Sequence, residues 1–176
     1  MHVLASHIRG LPIISLQSGD AIAHVRNLVI DMAKLEVVAF ECGVPRQHRP
    51  LAILTSDIRQ LSNSYLVVES DDELIDPAEI IRLAGPLKTH FDPVGKPVVS
   101  ELGRQLGRVE DYTVELEGDR IQKLHVRPSG LRSWFGPAVM IDRAQVIDVT
   151  IRHIIVRDTT IAAPALPPEA LSNSPN

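Results

Sequence analysis

"PIISLQSGDAIAHVRNLVID", Pro12 to Asp31, is repeated in outline by "PVVSELGRQLGRVEDYTVE", Pro97 to Glu115, in a chain of 176 residues. Gly19 and Gly103 align at an offset of 103 − 19 = 84 once one residue is inserted before Gly19. The sequence therefore contains an internal repeat. This period is longer than the roughly 20 to 50 residues of stacked solenoid units, so it predicts two tandem small domains.

The repeat extends through the apolar positions that follow. The offset of 84 pairs Ile22 with Leu106, Val25 with Val109, Ile30 with Val114 and Phe40 with Leu124. Farther along, the offset is 146 − 58 = 88, which pairs Ile58 with Val146 and Leu66-Val67-Val68 with Ile154-Ile155-Val156. Because 88 − 84 = 4, the intervening loop of the second copy is predicted to be four residues longer.

Short runs of Val and Ile, bounded by Gly, Pro, Asn, Asp and Ser, are typical of β-strands. In the first copy they predict strands at Pro12–Ser15, Ala23–Asp31, Glu36–Cys42, Leu51–Thr55, Ile58–Leu61 and Tyr65–Glu69. The second copy repeats the pattern, with Glu117-Gly118-Asp119 able to supply the positive φ of a tight hairpin. Short strands at close spacing need closure to hide their edges, so we expect an all-β fold of two small β-barrels.

A short helix is predicted between the copies, in "DPAEIIRLAGPL". Asp76 is its expected N-cap, Glu79 completes a capping box, and Gly85-Pro86 is expected to stop it. The predicted domains are residues 1–86, a barrel with this helix at its end, and residues 87–160, the second barrel. Residues 161–176 are rich in Pro, Ser and Asn and predict a mobile tail.

Charge, hydropathy and cysteine content indicate which classes of protein this chain does not belong to. The 18 basic and 22 acidic residues give a formal charge of −4, which argues against a general affinity for nucleic acid. The charged residues interrupt every apolar run, so no membrane span is expected. A single cysteine, Cys42, and a start without the pattern of a signal peptide favour the cytoplasm.

Motifs for chemistry are sparse. The histidines show no HxH, HxxxH or HExxH spacing, and neither a phosphate-binding glycine loop nor a nucleophile elbow occurs. At offset 84, Cys42 pairs with Val126, which indicates a small core residue. We therefore expect no metal, no cofactor and no catalytic residues, and the chain is not expected to be an enzyme.

The repeated strands, each followed by a hairpin strand, a loop and a "LTSDI" or "IDRAQV" segment, resemble the PRC-barrel domain family. The family takes its name from the photosynthetic reaction centre, whose H subunit carries such a barrel, and it includes the C-terminal barrel of the ribosome maturation factor that binds a ribosomal protein. Both are binding roles. The resemblance implies two tandem small PRC-type β-barrels with a short linking helix.

The matching positions serve the fold in this family: they are Gly19, Gly103, Gly107, Asp31 and Glu115. In the first copy, Ala23 stands where Gly107 stands in the second, so the first copy is the more diverged. The membrane helix of the reaction-centre subunit and the N-terminal domain of the ribosome factor have no counterpart in this sequence. Neither specific role is therefore carried over.

The loop after the third strand is Arg-rich in both copies: "GVPRQHRPL" in the first and "RPSGLRSWFGP" in the second. Arg, Trp and Phe are enriched at the hot spots of protein interfaces, so these loops predict a partner-binding surface. Its candidate residues are Arg46, His48, Arg49, Arg127, Arg132, Trp134 and Phe135. Two other outcomes are open: Trp134 and Phe135 fold back as a lid on the barrel end or pack between the two barrels, or the loop forms a homodimer.

Three functions are compatible with these features. The first is a non-catalytic adaptor that binds a protein partner through loops or strand edges. The alternative is an RNA- or ribosome-associated assembly factor, which requires Arg46, Arg49, Arg127 and Arg132 to cluster on one face. The third is a regulatory protein with a small ligand in a barrel mouth.

Overall fold

A computed structural model describes residues 2–47, 49–115, 118–129 and 138–158. Within these ranges the chain is mainly β, with two short α-helices, α1 (Ala5–Ile8) and α2 (Ala84–Thr89). The strands are β1 (His2–Leu4), β2 (Pro12–Ser15), β3 (Ala21–Asp31), β4 (Glu36–Gly43), β5 (Leu51–Leu54), β6 (Ile58–Leu61), β7 (Leu66–Val68), β8 (Pro97–Ser100), β9 (Gln105–Glu115), β10 (Arg120–Pro128), β11 (Val139–Asp142), β12 (Val146–Val149) and β13 (Ile154–Val156). The prediction of an all-β, barrel-like fold is confirmed.

Strand order repeats between the halves. It is β6-β7-β2-β3-β4-β5 in the first and β12-β13-β8-β9-β10-β11 in the second. The parallel pairs also share a register, because Ile13 faces Leu66 in one half and Val98 faces Ile154 in the other. The internal repeat read from the sequence is therefore a repeat of structure.

The predicted change of offset is confirmed by the pairing of the fourth strand. Phe40 of β4 faces Ile53 of β5, and Leu124 of β10 faces Ile141 of β11. The offset is 124 − 40 = 84 before the loop and 141 − 53 = 88 after it. The four additional residues therefore lie between β10 and β11.

The turns between β2 and β3 and between β8 and β9 are each closed by a glycine N–H that donates to the carbonyl oxygen of a serine. Gly19 N donates to the carbonyl of buried Ser15 over 2.9 Å, and Gly103 N donates to that of buried Ser100 over 2.8 Å. The glycines have φ of 74° and 80°, a region that favours glycine. Asp119 has the predicted positive φ, 52°, in the second hairpin, and Glu117 lies outside the described residues.

The two repeats meet where β4 and β10 begin. Val37 N donates to the carbonyl oxygen of Asp119 over 2.7 Å, and Ile121 N donates to that of Leu35 over 2.9 Å. The two bonds are equivalent, since 37 + 84 = 121 and 35 + 84 = 119. This junction therefore has pseudo-two-fold symmetry, the geometry of a homodimer within one chain.

The segment before the first repeat packs on the second. Its strand β1 pairs antiparallel with the end of β9, where Val3 faces Val114. Ser6 N and Oγ donate to the carboxylate of Asp111, the latter over 2.5 Å. In return, α2, which leads into the second repeat, packs against β3 of the first. The segment that precedes each repeat therefore contacts the other repeat. We call these two segments, residues 2–11 and 84–96, the leader segments.

The linking helix is present, but the prediction of its limits was wrong. Asp76 caps a single 3-10 turn, Pro77–Glu79, and the chain bends at Ile80 before a second turn, Ile81–Leu83. The helix α2 then starts at Ala84 and contains the Gly85-Pro86 pair that was expected to stop it. A proline in the first helical turn is tolerated because its missing N–H would lack a helical partner there.

Packing explains the shift. Leu83 is fully buried against Val29, Ala39 and Ala52 on the outer face of the first repeat's sheet. A straight helix from residue 77 is replaced by turns that let Leu83 reach that face. The predicted boundary at residues 86 and 87 remains a prediction, while the main core cluster holds residues from both repeats. The tail, 161–176, lies outside the described residues.

Candidate partner-binding surfaces

The loop after β4 carries Arg46 and Arg49, both exposed. It begins with a turn in which Gln47 N donates to the Val44 carbonyl over 3.2 Å, and Arg46 has φ of 67°. Neither arginine forms an ion pair within the described part of the chain. His48 lies outside the described residues. This loop therefore presents unneutralised guanidinium groups.

The loop after β10 differs at its base. The Arg127 guanidinium is ion-paired with the Glu110 carboxylate on the neighbouring strand β9. Arg132, Trp134 and Phe135 lie outside the described residues, so their lid, dimer and partner-binding hypotheses remain predictions. Arg127 therefore has its charge balanced locally, whereas Arg108, which faces it on β9, donates to the Gly95 carbonyl oxygen.

The strand ends from which the two loops start point in opposite directions from the junction. Strands β4 and β10 run antiparallel and overlap only at Glu36 and Arg120, whose side chains form an ion pair of 3.3 Å. From this pair each strand continues for about seven residues, or about 23 Å, in opposite directions. The fold therefore separates Arg46 and Arg49 from Arg127.

Two residues that the sequence did not single out, His24 and Arg26, lie beside the first loop. Both are exposed on β3, and His24 faces buried Gly43 at the end of β4. A Cβ on Gly43 would collide with the His24 ring and the Arg26 guanidinium. The offset of 84 could have indicated this position, because it pairs Arg26 with Glu110, a reversal of charge, and neutral Gly43 with Arg127.

A cleft of about 660 Å³ lies beside the junction, between the first hairpin and the second repeat. Arg143 on its wall donates from Nη1 to the carbonyl oxygen of Leu35 over 3.4 Å. The remaining lining combines aliphatic and polar side chains: Met32, Ala33, Arg120, Gln122, Ala144, Val146, Ile147, Asp148 and Val149. Its size is within the range of small-ligand pockets.

The described residues include no cluster of metal-binding side chains and no exposed cysteine. No three His, Cys, Asp or Glu side chains there are placed to hold a metal ion. Cys42 is fully buried, as expected for a core residue, and its Sγ donates to the Phe40 carbonyl over 3.2 Å. Burial, with a smaller effect from the Glu41 charge, raises the pKa of the Cys42 thiol to about 12. The thiol is therefore protonated at neutral pH.

Stability is expected to fall at alkaline pH because of Cys42. The thiol has a pKa near 8.5 in an unfolded chain, so its contribution is complete below that pH and is lost as pH rises towards about 12. From this group, the free energy of unfolding is expected to fall by about 1.4 kcal/mol per pH unit. Urea unfolding between these limits should give a slope that is steeper by about this amount in the wild type than in Cys42→Val, which installs the residue of the second copy; burial also raises the pKa of Tyr112, which contributes equally to both proteins. Equal slopes would contradict the assignment.

Residues 89–162 match the family model of the PRC-barrel domain. The match covers the second repeat and confirms its resemblance to this family, whereas the resemblance of the first repeat remains a prediction. A search of curated proteins gave no significant match to the chain. Among the described residues, no helix has the length and apolar character needed to cross a membrane.

Proposed function

We propose that this protein is a non-catalytic cytoplasmic adaptor, made of two PRC-type barrels, that binds protein partners at its two loop-bearing ends. The observation that carries the proposal is that β4 and β10 run in opposite directions from one junction, so the points where the two loops begin are far apart. An adaptor needs two separated surfaces on one scaffold. The binding roles of other PRC-type barrels support the same reading.

The first repeat supports the proposal through its topology. It has the strand order of the second repeat, which matches the family model, and the same register in its parallel strand pair. We therefore treat both halves as PRC-type barrels. The loops after β4 and β10 then occupy equivalent positions, so they are equivalent candidates for binding.

The assembly-factor alternative has less support. It needs the arginines of both loops on one face, but Arg46 and Arg49 lie at the opposite end from Arg127. The formal charge of −4 also disfavours a broad contact with phosphate. The ligand-binding alternative is favoured by one observation, the junction cleft of about 660 Å³.

The double variant Trp134→Ala/Phe135→Ala tests the adaptor directly. If the loop is an interface, the variant should keep the wild-type melting temperature and lose captured protein, because hot-spot aromatics supply much of the binding free energy. The measurement is affinity capture from native cell lysate, analysed for protein and RNA, beside the mass of the purified protein in solution.

The matched control is Ile81→Ala/Leu102→Ala, which removes two apolar side chains that are 92% and 79% exposed elsewhere. It should retain the captured protein. Lower stability with unchanged capture would show a lid instead of an interface. RNA-dependent capture of ribosomal material would favour the assembly factor, and a dimeric mass lost in the double variant would show self-association.

A further inference from the structure

The base of the first loop brings two polar side chains together over a glycine. The ideal Cβ position of Gly43 is 2.5 Å from Nε2 of His24 and 2.5 Å from Nε of Arg26. Because 2.5 + 2.5 = 5.0, these two nitrogen atoms are no more than 5.0 Å apart. Any side chain at position 43 would separate them.

The backbone does not require this glycine. Gly43 lies outside the positive-φ region that favours glycine, unlike the turn residues Gly19 and Gly103. It is instead buried under His24 and Arg26, which lie across it. Glycine at this position therefore allows the convergence of the two side chains.

The two nitrogen-bearing groups have no partner of their own in the described structure. Neither His24 nor Arg26 forms a side-chain hydrogen bond or an ion pair there. The nearest acidic residue along β4, Glu41, is not ion-paired with Arg26. Arg46 and Arg49 follow Gly43 in the adjoining loop and add two exposed guanidinium groups to that of Arg26.

In the second repeat an internal ion pair occupies this position, beside Arg108, which is equivalent to His24. At equivalent sites, Glu110 replaces Arg26 and Arg127 replaces Gly43, and these two residues form an ion pair. The second copy therefore contains both an anion, the Glu110 carboxylate, and a side chain, that of Arg127, which takes the place left empty by Gly43. The first copy lacks both, which leaves a cationic site open.

We propose that His24, Arg26, Arg46 and Arg49 bind the carboxylates of a short acidic segment in a partner protein. The proposal rests on the adaptor function and names the chemistry of the partner at this end. Guanidinium groups bind carboxylates through directed, charge-assisted hydrogen bonds. The acidic segment supplies the anion that Glu110 supplies internally in the second repeat.

A local acidic segment fits this protein better than nucleic acid. A nucleic acid carries regularly spaced charge along its whole length. A long polyanion at this site would also face the remainder of a chain with formal charge −4. A few carboxylates can instead contact only the cationic site and avoid that repulsion.

The test is fluorescence anisotropy of a labelled peptide of alternating Glu and Ser with the full chain at low ionic strength. The wild type should bind it and should not bind the matching Gln-Ser peptide. Gly43→Ala should weaken binding about fivefold, and Arg26→Ser/Arg49→Ser about tenfold or more, since each exposed charge contact contributes a modest factor. Added salt should weaken wild-type binding through screening.

Gly43→Ala is informative because it displaces only the ends of two exposed side chains, so folding should be preserved. Its control is Gly85→Ala, where no atom lies within 4 Å of the added Cβ. The control for charge is Arg152→Ser, which removes an exposed arginine of the other repeat. Both controls should bind the peptide as the wild type does, with unchanged melting temperatures.

Equal peptide affinity of the wild type, Gly43→Ala and Arg26→Ser/Arg49→Ser would overturn the proposal. Tighter binding of oligouridylate than of the acidic peptide would overturn it in favour of RNA. Failure of the adaptor function is measured separately, by loss of the Trp134 and Phe135-dependent capture. If that capture persists while the acidic peptide does not bind, the adaptor stands and this assignment of its partner fails.

Discussion

Deletion of residues 2–9 is expected to destabilise the second repeat, although these residues precede the first. The deletion removes β1 from the edge of β9 and removes Val3, Ala5 and Ile8 from the core, where each is at most 3% exposed. It also breaks the 2.5 Å ion pair between Arg9 and Asp92, which joins the two leader segments. Together these losses are comparable with the free energy of unfolding of a small protein, about 5–15 kcal/mol.

A point variant measures the same effect in a protein that still folds. Ile8→Ala should lower the free energy of unfolding by about 2–5 kcal/mol, because Ile8 is fully buried. The control His7→Ala changes an exposed neighbour in the same helix and should stay within about 0.5 kcal/mol of the wild type. Urea unfolding gives both values.

Amide hydrogen exchange shows where the protein opens. In Ile8→Ala, protection should fall at Thr113–Glu115 of β9 as well as around β2. If the repeats were independent domains with a boundary at residues 86 and 87, exchange in β9 would not change. Unchanged protection at β9 after deletion of residues 2–9 would therefore show that the crossing segment contributes little.

The second large effect is expected from Gly107→Ala. Gly107 has φ of 153°, which side chains rarely adopt, and the new Cβ would collide with the Arg127 carbonyl oxygen and lie 2.9 Å from Val126 Cγ1. A backbone carbonyl in a strand cannot move as a flexible side chain can. We expect a loss of about 3 kcal/mol, from backbone strain and overpacking together.

The control for Gly107→Ala is Ala23→Gly, the reverse exchange at the equivalent position of the first repeat. It should cost about 1–2 kcal/mol, because it adds backbone freedom to the unfolded chain and removes one buried methyl group. Thermal and urea unfolding give the comparison. Similar small losses for both variants would show that β10 yields to the new side chain and that the glycine is dispensable.

The strand pattern could be predicted because it is local. Apolar alternation and turn residues placed β2 to β7 within one or two residues, and the change of offset from 84 to 88 located the longer loop. The sheet registers confirm both inferences. Each depended on residues that are close in sequence or on comparison of the two copies.

The crossing leader could not be predicted in the same way. Strand β1 has three residues, too few for a periodic pattern, and Ser6 contacts a residue 105 positions away. Its pairing depends on where the second repeat lies, which no local pattern specifies. The limits of α2 were mispredicted for a related reason. Asp76 does cap a turn, but that turn ends at Glu79, and the burial of Leu83 depends on sheet residues that are distant in sequence.

The sequence indicated only part of the proposed binding site. The loop arginines were identified by residue type, but the convergence over Gly43 depends on side chains of two strands meeting in space. Comparison of the copies at offset 84 contains the signal, since the charge is reversed between Arg26 and Glu110. Steric contact with a glycine is visible only in the structure.

The junction between β4 and β10 also determines how the molecule carries mechanical load. Two partners that pull on the opposite loops would draw the strands past each other along their length. The bonds from Val37 to Asp119 and from Ile121 to Leu35 lie across that direction, so they are loaded in shear and must break together. The same two bonds would open one after the other if the strands were peeled apart from one end.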